Sequence, residues 1–253
     1  MNELYNHPEY YEIAFSFRDI PAEVDLFERC FAMYSKTQVK SVLELGAGNS
    51  PHAEELVKRG YYYNGLEINQ PMIDYSLKKA EKQNIDINLI QADMTNFSLK
   101  EKVDFAYTPL GSLFVKNDKE LTSHFDSVAQ SLYEGGLYLL DWCIEFSIKE
   151  GEETTWTTEE GNITVTTTVF WKPISLARQI FEENIILKVN DNGKQIEVSD
   201  KNIRRAVYPQ EFRLFIDNFR KFEFIGWWNN WDLDQPLDDA GVISRPIIVL
   251  RRI

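Results

Sequence analysis

The sequence predicts an α/β fold: a mostly parallel sheet flanked by helices, carrying a late block of antiparallel strands. Three observations point to it. Between 20 and 142, short apolar runs alternate with segments of helical periodicity, the pattern of strand–helix–strand crossovers. One of these runs ends in Gly46-Ala47-Gly48 and meets Pro51 at once, which reads as a strand bending into a helix. Beyond 150 the period changes to two, in a Thr/Val-rich stretch followed by the hairpin turn Asn190-Asp191-Asn192-Gly193.

In chain order, 21–34 is a helix with Val24, Phe27, Cys30 and Phe31 on one face. A buried strand covers 41–45, and a helix covers 51–59, capped by Asn49 or Ser50 and stopped by Gly60. A second strand lies at 62–66 and a proline-opened helix at 71–83. Strands three and four fall at 87–91 and 103–107. A helix over 117–132 stops near Gly135-Gly136, and 137–142 is strand five. The stretch 154–171 sets Ile163, Val165, Thr167 and Val169 against Thr164, Thr166, Thr168 and Phe170. Segments 177–189 and 194–198 flank the hairpin turn, a helix returns at 209–219, and 222–230 and 246–251 are the last strands. We read 1–253 as one domain in which 150–207 is an antiparallel insertion. That insertion reads as a lid, as an edge that pairs across a homodimer, or as both.

Bulk properties narrow the function classes. The net charge is -13, which disfavours nucleic-acid and anionic-membrane partners and suits a cationic ligand, although acidity also simply keeps proteins soluble. No apolar run approaches membrane-span length, and the N-terminus lacks the basic and apolar regions of a signal peptide. Cys30 and Cys143 are isolated in apolar surroundings, as expected of thiols in a reducing cytoplasm. The histidines His7, His52 and His124 are scattered, so no metal site is expected and each reads as structural.

The chemistry concentrates at Glu44-Leu45-Gly46-Ala47-Gly48-Asn49-Ser50-Pro51. Glycines here let backbone approach a ligand closely. Pro51 stands where a dinucleotide fingerprint wants glycine, and the Gly-Lys-Ser/Thr of a P-loop is absent. Glu44 would repel a phosphate but would suit an ammonium. S-adenosylmethionine (SAM) offers an ammonium and a sulfonium and has no phosphate. Glu67 ends strand two roughly twenty residues on, where an acid can accept from both ribose hydroxyls. Asp93 ends strand three and could accept from an adenine amino group, with Ile68 and Met94 on the two ring faces and Met72 nearby. Taken singly, Glu44 or Glu67 reads more readily as a capping or solvated carboxylate, Asp93 as a turn residue, and each methionine as core. Together they fall at one end of three successive strands.

On these residues the chain resembles the class I SAM-dependent methyltransferases, most strongly over about 10–142. The resemblance implies a seven-stranded Rossmann-like sheet and SAM as the methyl donor, leaving S-adenosylhomocysteine (SAH). It also implies that Gly46, Ala47 and Gly48 cradle the methionine part, that Glu67 binds ribose and that Asp93-Met94 binds adenine. The segment from Tyr107 to Ser112 then falls where the family's post-strand-four motif faces the methyl group. Tyr11-Glu12-Ile13-Ala14-Phe15 with Arg18-Asp19-Ile20 and Ala22-Glu23 resembles the N-terminal YDxxY…KDYxxEA stretch of small-molecule N-methyltransferases. Here Glu12, Phe15 and Ile20 replace an Asp and two Tyr.

Around the expected methyl position the residues able to handle a proton are Tyr11, Thr108 and Asp141. Tyr11, Trp142 and Arg245 are the expected contacts to a small-molecule acceptor. The six tryptophans either line a pocket for a methylated amine or pack the core. Three readings follow: methyl transfer to a small amine, methyl transfer to oxygen, or a catalytically silent SAM-fold interaction module.

Overall fold

The computed structural model describes residues 3–147 and 153–253. Met1, Asn2 and the expected start of the insertion at 150 lie outside the described residues.

Apolar runs buried on both faces make most of β1 (Ser41–Leu45), β2 (Tyr62–Glu67), β4 (Val103–Thr108) and β5 (Leu132–Asp141), and the half-exposed β3 (Asn88–Gln91) forms one edge. Two late strands, labelled β10 (Phe222–Trp228) and β11 (Ile247–Arg252) in chain order, complete a seven-stranded sheet. Its order is β10-β11-β5-β4-β1-β2-β3. All pairings from β5 to β3 are parallel, and β11 alone runs against its neighbours. The chain leaves β1 toward β2 and returns on the other side at β4, so the order reverses beside β1, where open α/β sheets bind ligands.

Alternation along each strand feeds two cores. Val42, Phe105, Leu137 and Val249 face α2 (Ile20–Tyr34) and α3 (Ala53–Lys58). Leu43, Ala106, Tyr138 and Leu250 face α5 (Asp118–Ser131) and α6 (Pro209–Phe219). Helix α2 begins where Asp19 accepts from the Ala22 amide at 3.1 Å, and α5 where Asn117 accepts from two amides at 3.0 Å. Helix α4 (Gln70–Gln83) ends on left-handed Asn84.

The insertion is a separate four-stranded antiparallel sheet, β6 (Glu153–Glu160), β7 (Ile163–Ser175), β8 (Ile180–Asp191) and β9 (Lys194–Arg205). Asn192 and Gly193 both take positive φ, as a tight hairpin of matching twist requires. Its apolar face packs on the short helix α1 (Pro8–Ala14): Tyr10 and Ile13 meet Ile185, Leu187 and Val198. Tyr10 also bonds Asp191 at 3.0 Å, and the Trp156 indole donates to the Ala14 carbonyl at 2.7 Å. On its other side α1 is tied to α4, because Glu12 takes bonds from Tyr75 and Lys79.

Several boundaries differ from expectation. Helix α3 starts at Ala53 without a side-chain cap, because Ser50 is left-handed and still belongs to the bend. Gly135 and Gly136 lie inside β5 rather than stopping a helix. A Cβ on Gly136 would sit 2.6 Å from the Asp104 carbonyl, so the close strand approach explains that glycine. The stretch 154–171 divides into two strands at Gly161-Asn162, and β9 runs on to Arg205.

Candidate functional site

At the carboxyl ends of β1, β2 and β3 lies a cleft of about 480 Å³, a normal size for a small-molecule site. One wall is Gly46, Gly48, Glu67, Ile68, Asp93 and Met94. The facing wall is Tyr5, Tyr11, Ser112, Phe114 and the β9 residues Lys201, Asn202 and Ile203, so the inserted sheet roofs the cleft.

The bend is built by β1 ending against β2. Amides of Gly46 and Ala47 both donate to the Leu66 carbonyl, at 2.9 and 3.0 Å. Gly46 has φ +69°, and a Cβ there would come within 2.9 Å of the Met94 methyl and 3.3 Å of the Ser112 Cβ. Only glycine suits this position. Glu67 is 6% exposed. Its Oε1 accepts from the Ile68 and Asn69 amides and the Asn69 side chain, whereas Oε2 accepts only from the Gly48 amide, at 2.8 Å. The carboxylate therefore braces the bend and keeps capacity on Oε2. Asp93 is exposed, and Oδ1 accepts from the Thr95 amide and hydroxyl at 2.8 Å. Ile68, 56% exposed, stands free at the rim.

Tyr11 lines the cleft and packs on Phe15, ring centroids 4.6 Å apart. Burial pushes its phenol up to about 12, and Glu67 adds to the rise while Arg18 opposes it. Near neutral pH it is a hydrogen-bonding phenol and not a base.

Other expected site residues lie elsewhere. Glu44 is fully buried behind the bend. Its Oε2 accepts from Tyr63 and Tyr107 at 2.6 and 2.9 Å, and its Oε1 meets His52 Nδ1 at 3.1 Å. It borders only a void of about 30 Å³ beside the bend, with Arg18 and Asn49, so three buried partners occupy the carboxylate expected to hold an ammonium. Thr108 points into the core and bonds Tyr138 at 2.8 Å, in a relay through His124 to the Met94 carbonyl. Burial holds His124 down at about 4, so the relay is uncharged. Met72 is wholly buried and lies outside the cleft lining. Asp141 is wholly buried, accepts from the Leu110 amide at 2.9 Å, and is gripped by both Nε and Nη2 of Arg245. A carboxylate so committed is not a free base. Trp142 turns away on a left-handed residue and lines a separate hollow with Phe146 and Pro246.

Behind the bend these residues join a buried ionic network. His52 bridges Glu44 and Glu23, at 3.1 and 2.8 Å. Glu23 also pairs with Arg18, and with Arg245 at 2.8 Å. Burial alone would lower the His52 imidazole, but Glu44 and Glu23 outweigh it and raise it. With His52 protonated, Glu44, Glu23 and Asp141 balance His52, Arg18 and Arg245. Arg245 further stacks on Trp231 at 4.1 Å. Sequence reasoning missed Tyr5 and Asn202 as lining residues, because no motif marks them, whereas Ser112 belongs to the expected post-strand-four segment. Arg18 and Glu23 were visible only as part of the N-terminal stretch.

Among the described residues no helix is long and apolar enough to cross a membrane, and no group of three or more ligating side chains could hold a metal ion. Cys30 and Cys143 are buried free thiols.

Residues 42–136 match the family model Methyltransf_25, described as a methyltransferase domain. A curated protein of Geobacillus sp. (strain WCH70), assigned by name to the methyltransferases, is 24% identical over 69% of this chain and 70% of its own. Among solved structures, a SAM-dependent methyltransferase from Clostridium acetobutylicum ATCC 824 superposes with TM-score 0.79 at 14% identity, covering 96% of both chains. The sugar N-methyltransferase KedS8 from Streptoalloteichus sp. ATCC 53650 superposes with TM-score 0.70 at 19% identity, covering 93% of this chain and 89% of its own. Residues 42–136 are thus similar to a methyltransferase domain, and the chain has the fold of the solved SAM-dependent methyltransferases. The matched segment carries the bend and the two strand-end acids, Glu67 and Asp93.

Proposed function

We propose that the chain methylates an amine nitrogen of a small, polar acceptor of amino-sugar type. The observation that carries this reading is the convergence of the Gly46–Gly48 bend, Glu67 and Asp93-Met94 on one cleft roofed by Tyr5, Tyr11 and β9. The likeness to a sugar N-methyltransferase and the net charge of -13, which favours cationic amines, support it.

In this reading the backbone of Gly46, Ala47 and Gly48 lies against the methionine part of SAM. Glu67 would hold the ribose through Oε2, and Asp93, Ile68 and Met94 would hold the adenine. Arg18 borders the small void with Nη1 uncommitted among the described residues, which suits the methionine carboxylate. SAM supplies a methyl on a sulfonium; the acceptor nitrogen's lone pair takes it in line while the C–S electron pair returns to sulfur. The protein's contribution is alignment and exclusion of water. Tyr11 orients the acceptor as a neutral phenol. Since Asp141 and Thr108 are committed elsewhere, the amine proton leaves to solvent at the cleft mouth.

Calorimetry with SAM and SAH, followed by mass spectrometry on aminohexoses and their matched alcohols, tests this. Binding of both nucleosides and methylation at nitrogen are expected. Turnover of the alcohols alone would move the reaction to oxygen. Absence of any nucleoside binding would leave an interaction module.

A further inference from the structure

The inner face of the inserted sheet changes chemistry along its length. Period two sets Ile185, Leu187 and Val198 against α1. Carried toward the cleft, the same alternation sets Glu183, Asp200, Asn202 and Arg204 on that face. Glu183, Asp200 and Arg204 are each at most 6% exposed. Charges buried like this destabilise the fold unless they are partnered.

Arg204 has partners that explain it. Its Nη1 pairs with Glu183 at 3.1 Å and its Nη2 donates to the Gly111 carbonyl at 2.7 Å. Its plane lies between Phe114 and Trp171, at 4.7 and 5.0 Å. It fastens the insertion to the loop that carries Ser112.

Asp200 is arranged otherwise. Its Oδ2 accepts from Asn202 Nδ2 at 2.9 Å. A carboxylate only accepts, so this bond fixes the amide: the NH₂ faces Asp200, and the carbonyl Oδ1 is turned to its other side. Asn202 lines the cleft beside Tyr5 and Phe114, on the wall facing Glu67 and Asp93. Polarised by the carboxylate behind it, Oδ1 is a strengthened acceptor.

We infer that Asn202, oriented by Asp200, reads the methyl acceptor by taking a hydrogen bond from a hydroxyl or amine N–H adjacent to the methylated nitrogen. Asn202 is then a specificity residue and Asp200 a positioning residue. This rests on the amine-methylation reading above. It restricts the substrate class to vicinal amino alcohols and diamines, because a site built around a hydrogen bond rejects an analogue lacking the donor.

The test uses the full chain, 2-, 3- and 4-aminohexoses, and their analogues deoxy at the neighbouring carbon. For the aminohexose that wild type methylates, Asn202→Ala should raise KM roughly 5–30-fold, the effect of one hydrogen bond, with kcat changed less. The SAM dissociation constant should stay within about twofold of wild type, since the cofactor wall is untouched. The deoxy analogue should raise the wild-type KM by a similar factor and should not distinguish Asn202→Ala from wild type. Asp200→Ala should reproduce part of the loss and add little on top of Asn202→Ala. Asp200→Asn, whose carbonyl can still accept from Asn202, should restore most of it. An unchanged KM in Asn202→Ala would overturn the inference, as would a matching rise in the SAM dissociation constant, which would assign Asn202 to the cofactor. If wild type binds SAM yet methylates no aminohexose, the amine reading fails first and the inference falls with it. The deoxy comparison needs only wild type, so misfolding of a variant leaves the inference open to refutation.

Discussion

Replacing Gly46 by alanine separates two costs that a glycine at the bend avoids. The first is conformational: φ is +69°, and an L-residue held in that region loses about 1–2 kcal/mol. The second is steric. The new methyl would stand 2.9 Å from the Met94 terminal carbon and 3.3 Å from the Ser112 Cβ. Met94 is flexible and can yield, but only by leaving the position from which it would cover the adenine. Ser112 must move with its loop. Gly60 provides the control, since it has φ +89° with nothing within 4 Å of a built Cβ. Gly60→Ala should therefore show the conformational cost alone, a loss of about 1–2 kcal/mol, read as a Tm lower by roughly 2–8 °C. Gly46→Ala should lose at least as much stability and also weaken SAM at least tenfold by calorimetry, about 1.4 kcal/mol. A folded Gly46→Ala protein with wild-type affinity for SAM would refute the reasoning, because the bend would then not lie against the ligand.

Two further predictions concern the acids and the network behind the bend. Glu67→Ala removes the acceptor of four N–H bonds as well as the ribose contact, and SAM binding should weaken by about 1–3 kcal/mol in a calorimetric titration. Unchanged affinity would remove Glu67 from the site. The His52 imidazole is raised above its usual 6.5, so its stabilising charge is fully present below that pH and is lost as pH rises through the folded-state value. Urea unfolding should accordingly show stability falling as pH rises above about 6.5, and His52→Gln should be less stable at pH 6 with that part of the slope gone. An identical pH slope in the variant would contradict the charge balance of Glu44, Glu23 and Asp141 against His52, Arg18 and Arg245.

The legible part of the fold was the part whose periodicity is set by burial. Strands β1 and β4 are buried on both faces and stood out as short runs, and prolines and Asn117 marked helix starts because they act locally. The bend, Glu67 and Asp93 were legible because a strand's carboxyl end fixes where the next residue points. Residues whose direction depends on tertiary partners were not legible. Glu44 alternates away from the cleft and is claimed by Tyr63, Tyr107 and His52. Asp141 sits at the right strand end but meets Arg245, more than a hundred residues later in the chain. Trp142 is diverted by a left-handed turn that nothing in its neighbours' composition announces. Asn202 comes from an insertion whose docking over the cleft depends on α1, a helix too short and too mixed in character to be read in advance.

The most direct measurement is a crystal structure of the full chain grown with SAH. The ribose hydroxyls should lie within about 3 Å of Glu67, the adenine between Ile68 and Met94, and the sulfur should face Tyr11 and Asn202 across the cleft. Density for the nucleoside at the amino ends of the strands, in a groove lined by Ser41, Tyr62, Asn88 and Val103, or none in this cleft at saturating ligand, would contradict the placement on which the whole mechanism depends.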